Sequence, residues 1–232
     1  MTPNEIYAEA KDELNAGAYD KAIPLFDKLE GRAAGTPLAQ QAQLDKAYAH
    51  YKAGEPILAV ATLDRFMKLH PASPVFDYAL YLKGIVNFND DLGLFSGITR
   101  QDLSERDQKA AKDSYEALKE LVSRFPGSRY APDAAQRMAY IVNLLAQSEV
   151  HVARYYYQRG AYLAAINRAQ TAIVDYQSAP ALSEALQIMV RSYDALGMTQ
   201  LRDDTRRVLE KNHRANQGAD PTSSQNPWWK FW

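Results

Sequence analysis

The side chains able to do acid–base or metal chemistry are few and scattered. His50, His70, His151 and His213 lack the short spacings that bring two imidazoles onto one metal ion. His151 and Glu149 are two positions apart, which on a helix sends them to different faces. Asp90 and Asp91 sit in a polar, glycine-containing segment and read as a solvated turn rather than as an acid and its base. The chain has no cysteine, which removes disulfides, thiolate nucleophiles and thiolate metal sites together. It also has no glycine-rich phosphate loop, no G-x-S-x-G and no H-E-x-x-H. The expectation is a non-enzyme with no catalytic residue, no metal and no cofactor. What remains is recognition chemistry. Tyrosine and arginine are the residue types that anchor protein interfaces, and Tyr155, Tyr156 and Arg159 lie within five positions of each other, although the two tyrosines could equally be core. The second aromatic concentration is the terminal run Pro227-Trp228-Trp229-Lys230-Phe231-Trp232, which holds all three tryptophans.

The elements that must position these groups read as helical hairpins. Glu149 to Ala172 is expected to form two short helices with Gly160 at the turn, where glycine takes the left-handed conformation that closes a helix. Ala153 before the turn and Ala165 after it would let the two helices approach closely, with Tyr156, Tyr157 and Tyr162 filling the space around them. Gly160-Ala-Tyr162-x-x-Ala165 has a near copy at Gly17-Ala-Tyr19-x-x-Ala22 and a looser one at Gly54 to Ala59. Gly17 and Gly54 are 37 residues apart, and so are Gly160 and Gly197. A helix–turn–helix at a fixed period of this length predicts a stacked helical repeat. The expected fold is all-α, a right-handed superhelix of about five tetratricopeptide (TPR)-type repeats.

Along the chain, Thr2-Pro3-Asn4-Glu5 is a capping box with proline in the first turn, and Thr36-Pro37 repeats the device. Helices are expected over about 3–16, 19–30, 37–53, 56–69, 76–88 and 108–125, with 31–36 as a loop. A further helix starts near 130 and runs towards or into the central stretch, its boundary placed near Gln147-Ser148; a last pair covers about 181–196 and 199–213. Gly84 marks a close approach in the third repeat. Asn89 to Asp107 has two glycines and no helical period, and is expected to be a long loop within that repeat. Arg202 takes a place where earlier units have alanine, as suits a terminal cap. Residues 214–227 are polar and rich in breakers, a flexible linker to the tryptophans.

Composition fits this reading. Hydrophobic residues make up 47% of the chain, enough for a continuous core, and fifteen tyrosines suit shallow cores in which a ring is buried and its hydroxyl reaches water. The net charge of −1 gives no field for nucleic acid. Residues 151–214 carry nine bases against six acids, a mild bias that would suit an acidic partner or be an ordinary solvated face. No apolar run approaches the roughly 18 residues of a membrane span.

Four segments carry a more specific resemblance: PNEIYAEA near the start, RFMKLHPASPVFDYALYLKG at 65–84, RDQKAAKDSYEALKELVSRFPGSRYAPDA at 106–134 and VARYYYQRGAYLAAINR at 152–168. Together they resemble the BamD (YfiO/ComL) family of outer-membrane protein assembly lipoproteins, in register over about residues 3–210. The resemblance implies a five-repeat scaffold on the periplasmic face of the bacterial outer membrane. Its partners would be the last POTRA domain of BamA, other assembly lipoproteins of the complex, and the C-terminal signal of unfolded outer-membrane proteins. It implies that repeats 1–3, residues 1–127, face substrate, and that repeats 4–5, residues 128–213, hold BamA through Tyr155, Tyr156, Arg159 and Arg168. An arginine at 159 or 168 could clamp a carboxylate bidentately, or simply be a surface arginine.

The family's signal peptide and lipidated cysteine are absent, as expected of a mature chain trimmed just before Thr2 with Met1 added, so a membrane would be met only through an N-terminal lipid that this chain lacks. The aromatic of the family's turn after the first repeat is also missing from Arg32 to Pro37. The tail, residues 214–232, resembles the aromatic C-terminal signal of outer-membrane barrels. Extended, it would put Trp228, Lys230 and Trp232 on one side and Trp229 and Phe231 on the other. It is a candidate docking peptide for the array's own substrate groove or a neighbour's, for the membrane interface or for a partner subunit. The alternative for the whole chain is a generic TPR adaptor with unrelated periplasmic or cytoplasmic clients.

Overall fold

The computed structural model describes residues 1–88 and 105–217. Over these residues the chain forms ten helices and no strand: α1 (Pro3–Asn15), α2 (Tyr19–Arg32), α3 (Pro37–Lys52), α4 (Pro56–Leu69), α5 (Phe76–Asn87), α6 (Glu105–Arg124), α7 (Ala131–Gln158), α8 (Tyr162–Asp175), α9 (Leu182–Ala195) and α10 (Thr199–Gln217). They fall into five successive pairs, and the all-α repeat fold expected from the sequence is the observed one.

Local chemistry sets the element ends. The Thr2 hydroxyl accepts from the Glu5 amide at 3.3 Å, and the Glu5 carboxylate accepts from the Thr2 amide at 2.7 Å, so the capping box is complete. Thr36 caps α3 in the same way through the Ala39 amide. Gly17, Gly54, Gly160 and Gly197 all have φ between 71° and 77°, the left-handed turn that their 37-residue spacing announced.

Four expected boundaries move. Glu149 to Gln158 is not a separate short helix with a boundary at Gln147-Ser148; it is the end of the 28-residue α7. Nothing between Pro132 and Gly160 breaks a helix. The loop expected at 31–36 shrinks, because α2 continues through Gly31 to Arg32 and it is Gly35, at φ 80°, that makes the turn. Helix α6 begins at Glu105, three residues early. Helix α10 runs to Gln217, so 214–217 are helical rather than linker; the next breaker is Gly218. The remainder of the loop expected over 89–107 and the terminal aromatic run lie outside the described residues.

Among the described residues two compact units emerge, one of residues 1–88 with 109–138 and one of 105–108 with 139–217. In the first, α1 packs on α2, α2 on α3, α3 on α4 and α4 on α5. Ile6, Ala10 and Leu14 of α1 meet Ala22, Phe26 and Leu29 of α2 and Ala39, Ala42 and Ala49 of α3, all buried. Helix α5 touches α6 at a glycine notch, since a Cβ on Gly84 would stand 2.4 Å from a methyl of the fully buried Leu118. Ser114, also buried, donates to the Gly84 carbonyl at 2.7 Å and locks the same contact. Helix α3 is buried on nearly every side, and its polar residues survive there by pairing. Lys46 reaches Asp27 at 2.5 Å, with Glu30 at 3.7 Å. In the second unit, Val150 and Ala153 of α7 pack on Ala165, Ile166 and Ala169 of α8, and those on Ala185, Ile188 and Met189 of α9. The two alanines expected at the helix contact, Ala153 and Ala165, are both fully buried in it.

Candidate functional site

The four interface residues expected from the sequence lie on the α7–α8 hairpin. Ala153 and Ala165 are both buried in its core, and small residues there leave longer side chains to splay from the seam. Tyr155 is 48% exposed, and the Arg159 guanidinium lies 4.8 Å from its ring centroid, one helical turn on. This cation–π stack restricts two long side chains before any partner arrives. Tyr156 is half-buried, its ring 5.8 Å from that of Tyr155 at 68°, and it also packs against the hairpin core. Tyr155 is therefore surface, whereas Tyr156 is partly core.

Arg168 stands apart from the stack. Its Nη1 donates to Glu149 Oε2 at 3.2 Å across the hairpin, with Glu149 largely buried and Arg168 half-exposed. Glu149 also acts on Tyr176, whose phenol is pushed up by burial first and then by the charges of Glu149 and Asp175. Arg159, just past the end of α7, lies ten residues beyond Glu149, about 15 Å along the axis. The hairpin thus presents two positive sites, one backed by an aromatic ring and one by a carboxylate. A guanidinium has five N–H donors, so a single contact to Glu149 leaves Arg168 capacity for a partner's carboxylate. Behind this face, Arg154 of α7 donates from Nε to Glu184 of α9 at 2.8 Å and fixes the next helix.

A second surface, missed in the sequence, lies in the first unit. Tyr81 and Tyr130 stack with centroids 4.6 Å apart and planes at 19°, and Tyr78 lies 5.5 Å from Tyr130. The Tyr81 hydroxyl donates to Asp133 at 2.8 Å, and Arg137 Nε donates to the same carboxylate oxygen at 2.7 Å. The guanidinium of Arg129 covers Tyr130 at 4.7 Å. In the same unit Tyr7 donates to Asp45 at 2.9 Å, and Lys11 and Gln41 reach that carboxylate at 3.4 and 3.3 Å. Two of the tyrosine hydroxyls expected to reach water, those of Tyr7 and Tyr81, reach carboxylates instead. Burial, reinforced by Asp45 for Tyr7 and by Asp133 for Tyr81, pushes both phenols up to about 12. The only advance sign was the recurrence of tyrosine on the first helix of each of the first three pairs.

Among the described residues, no group of three acids or histidines is placed to hold a metal ion, and no helix is long and apolar enough to cross a membrane. The arrangement offers rings, guanidinia and carboxylates on rigid hairpins, which is the chemistry of polypeptide recognition.

Sequence comparison decides the family. Residues 1–209 match the model of the YfiO family, described as outer membrane lipoprotein. The chain belongs to the YfiO family. Among its YfiO relatives, the outer membrane protein assembly factor BamD of Neisseria meningitidis serogroup B is 47% identical over 230 residues, covering 98% of this chain and 86% of that protein. The protein of the same name from Vibrio cholerae serotype O1 is 32% identical over 212 residues, covering 91% and 88%. Among solved structures, that of MamA protein aligns over 94% of this chain and 95% of its own at 18% identity, with a TM-score of 0.42. YfiO membership accounts for the four segments that carried the resemblance, which all fall within residues 1–209, whereas the terminal aromatic run lies beyond the matched residues.

Proposed function

We propose that the chain is a subunit of the machinery that assembles β-barrel proteins into the bacterial outer membrane, working on the periplasmic face as a non-enzymatic scaffold. The observation that carries this reading is 47% identity with an outer membrane protein assembly factor across nearly the whole chain. The geometry gives it a mechanism. Helix hairpins hold side chains still, and catalysis is replaced by presentation of two polypeptides to each other.

In this reading residues 1–127 are the substrate-facing half. The flat ring faces around Tyr78 and Tyr81 suit the aromatic side chains of an extended outer-membrane protein signal, and the bond from the Tyr81 hydroxyl to Asp133 keeps that ring in place. Residues 128–213 are the partner-binding half. Tyr155, Arg159 and Arg168 meet acidic groups on the last POTRA domain of BamA, Tyr156 supports Tyr155 from below, and other lipoproteins of the complex bind nearer the C-terminus. The residues beyond α10, 218–232, serve as a docking tail.

Calorimetric titration with the last POTRA domain tests the partner assignment. Interface anchors lose about 2 kcal/mol or more on truncation, roughly 30-fold in Kd. Arg168→Glu and Tyr155→Ala are expected to lose that much with helicity unchanged. Glu149→Gln separates roles, because it releases Arg168 from its internal partner while keeping the cation; binding should fall by far less. Unchanged affinity in Arg168→Glu removes Arg168 from the interface, and no POTRA binding by the wild type removes the whole reading.

A further inference from the structure

The last helix differs from the second helices before it in what it shows to solvent. Counted from the turn glycine, α10 has Arg202 and Arg206 where α2 has the buried Ala22 and Phe26, so its stacking face is closed to another repeat. Its flank differs from that of α2 in the other sense, although α4 already carries an exposed leucine, Leu58, at the position of Leu201. The positions that hold exposed Lys21 and Lys28 in α2 hold Leu201 and Val208 in α10, exposed by 46% and 50%. No side chain described in α10 is buried. Leu201 and Val208 are two turns apart on one stripe, about 10 Å along the axis, with Asp204 between them. The flank therefore reads apolar, acidic, apolar, with Oδ1 of Asp204 accepting from Arg207 of the same helix.

The chain's own C-terminal run has the complementary pattern. In an extended segment Trp228, Lys230 and Trp232 share one side, and the first and last are about 13 Å apart. That is apolar, basic, apolar at nearly the same spacing. Ten residues, 218–227, separate the end of α10 from Trp228 and span up to about 33 Å. Val208 lies only about 14 Å back along the helix from Gln217. A segment tethered this closely has an effective concentration in the millimolar range for a neighbouring face.

We propose that residues 227–232 pack back along the flank of α10, antiparallel to it, with Trp228 on Val208, Lys230 at Asp204 and Trp232 on Leu201. The tail then closes the C-terminal helix of the scaffold in place of a further repeat. This inference does not depend on the assembly role, and its test uses no partner.

All three tryptophans are in this segment, so intrinsic tryptophan emission reports on it alone. The full chain, excited at the red edge of tryptophan absorption, should emit to the blue of free N-acetyltryptophanamide and resist acrylamide quenching, at every protein concentration. Leu201→Lys with Val208→Lys, both at exposed sites that the fold tolerates, should shift emission to that of the free indole and raise quenching several-fold. Ile57→Lys, a control on α4 at a still more exposed site, should change neither. Asp204→Lys and Lys230→Glu should each weaken quenching protection, and the two together should restore it. Four results overturn the proposal: free-indole emission in the wild type; a blue shift that the α10 variants leave untouched, which places the tail in another groove; a shift that grows with protein concentration, which makes it intermolecular; and a shift seen only with anionic phospholipid vesicles.

Discussion

A methyl group added at Gly84 has nowhere to go, because its Cβ would stand 2.4 Å from Leu118 Cδ2 and 2.6 Å from Cγ of the same side chain. Leu118 is fully buried and cannot swing clear. Overpacking of this kind costs about 1–3 kcal/mol. Gly84→Ala should lower the denaturant midpoint accordingly, and Gly84→Ala with Leu118→Ala should be less destabilised than the sum of the two single changes, since the second makes the space the first needs. Tyrosines give a residue-scale prediction of another kind. Burial, then the charge and hydrogen bond of Asp45, holds Tyr7 at about 12, and burial, then Asp133, does the same for Tyr81. Tyr78 is also raised to about 12, by burial and then by Asp45. A phenol whose folded value lies above its unfolded value of 10 stabilises the fold fully below pH 10 and loses that contribution as pH rises to 12. Absorbance titration of tyrosinate should therefore show a late-ionising group of tyrosines, with stability falling over the same window. Tyr7→Phe and Tyr81→Phe should each remove one member of that group.

Between one helix and the next, the turns carry the argument. Gly160 has φ 74° and open space where a Cβ would be, so Gly160→Ala meets backbone strain and no clash. The expected cost is about 1 kcal/mol, measured by thermal unfolding, and clearly below that of Gly84→Ala if the latter lies in the upper half of its range. Thr2→Ala removes one half of a complete capping box and should cost about 1 kcal/mol. Turns and caps were legible in the sequence because each is decided within four residues by φ or by one hydrogen bond. Glycine identity alone was not enough at 31–36, where Gly31 stays helical and Gly35 turns. The Tyr155–Arg159 stack was within reach as an i, i+4 pair on one helix. Arg168 with Glu149, and Tyr7 with Asp45, were not, since their partners lie 19 and 38 residues away and no periodicity names them. Nor does the sequence of α3 reveal that Asp45 and Lys46 are buried, because a helix enclosed on most sides has no polar face to contrast with its apolar one.

At the scale of the whole molecule, stability in a repeat protein is close to a sum of units and the contacts between neighbours, so it need not be uniform. Helix α3 has α2 on one side and α4 on the other, and nine of its sixteen residues are buried. Helix α10 has α9 beside it and no buried side chain among those described. Local opening of α10 therefore exposes little apolar surface, whereas opening α3 breaks two helix contacts and uncovers Leu44, Ala47 and Ala49. Native-state amide exchange should be fastest in α10 and slowest in α2 and α3. Phe26→Ala, which empties a fully buried site at a cost of about 3–5 kcal/mol, should lower protection through α1, α2 and α3 together. Leu209→Ala, at a partly buried position of α10, should loosen that helix and leave α1, α2 and α3 as they were. Deleting residues 227–232 should speed exchange in α10 further, because the flank at Leu201 and Val208 would lose its cover. Uniform exchange across α3 and α10 would mean that the chain opens as one cooperative block, and a nearest-neighbour account of its stability would then fail.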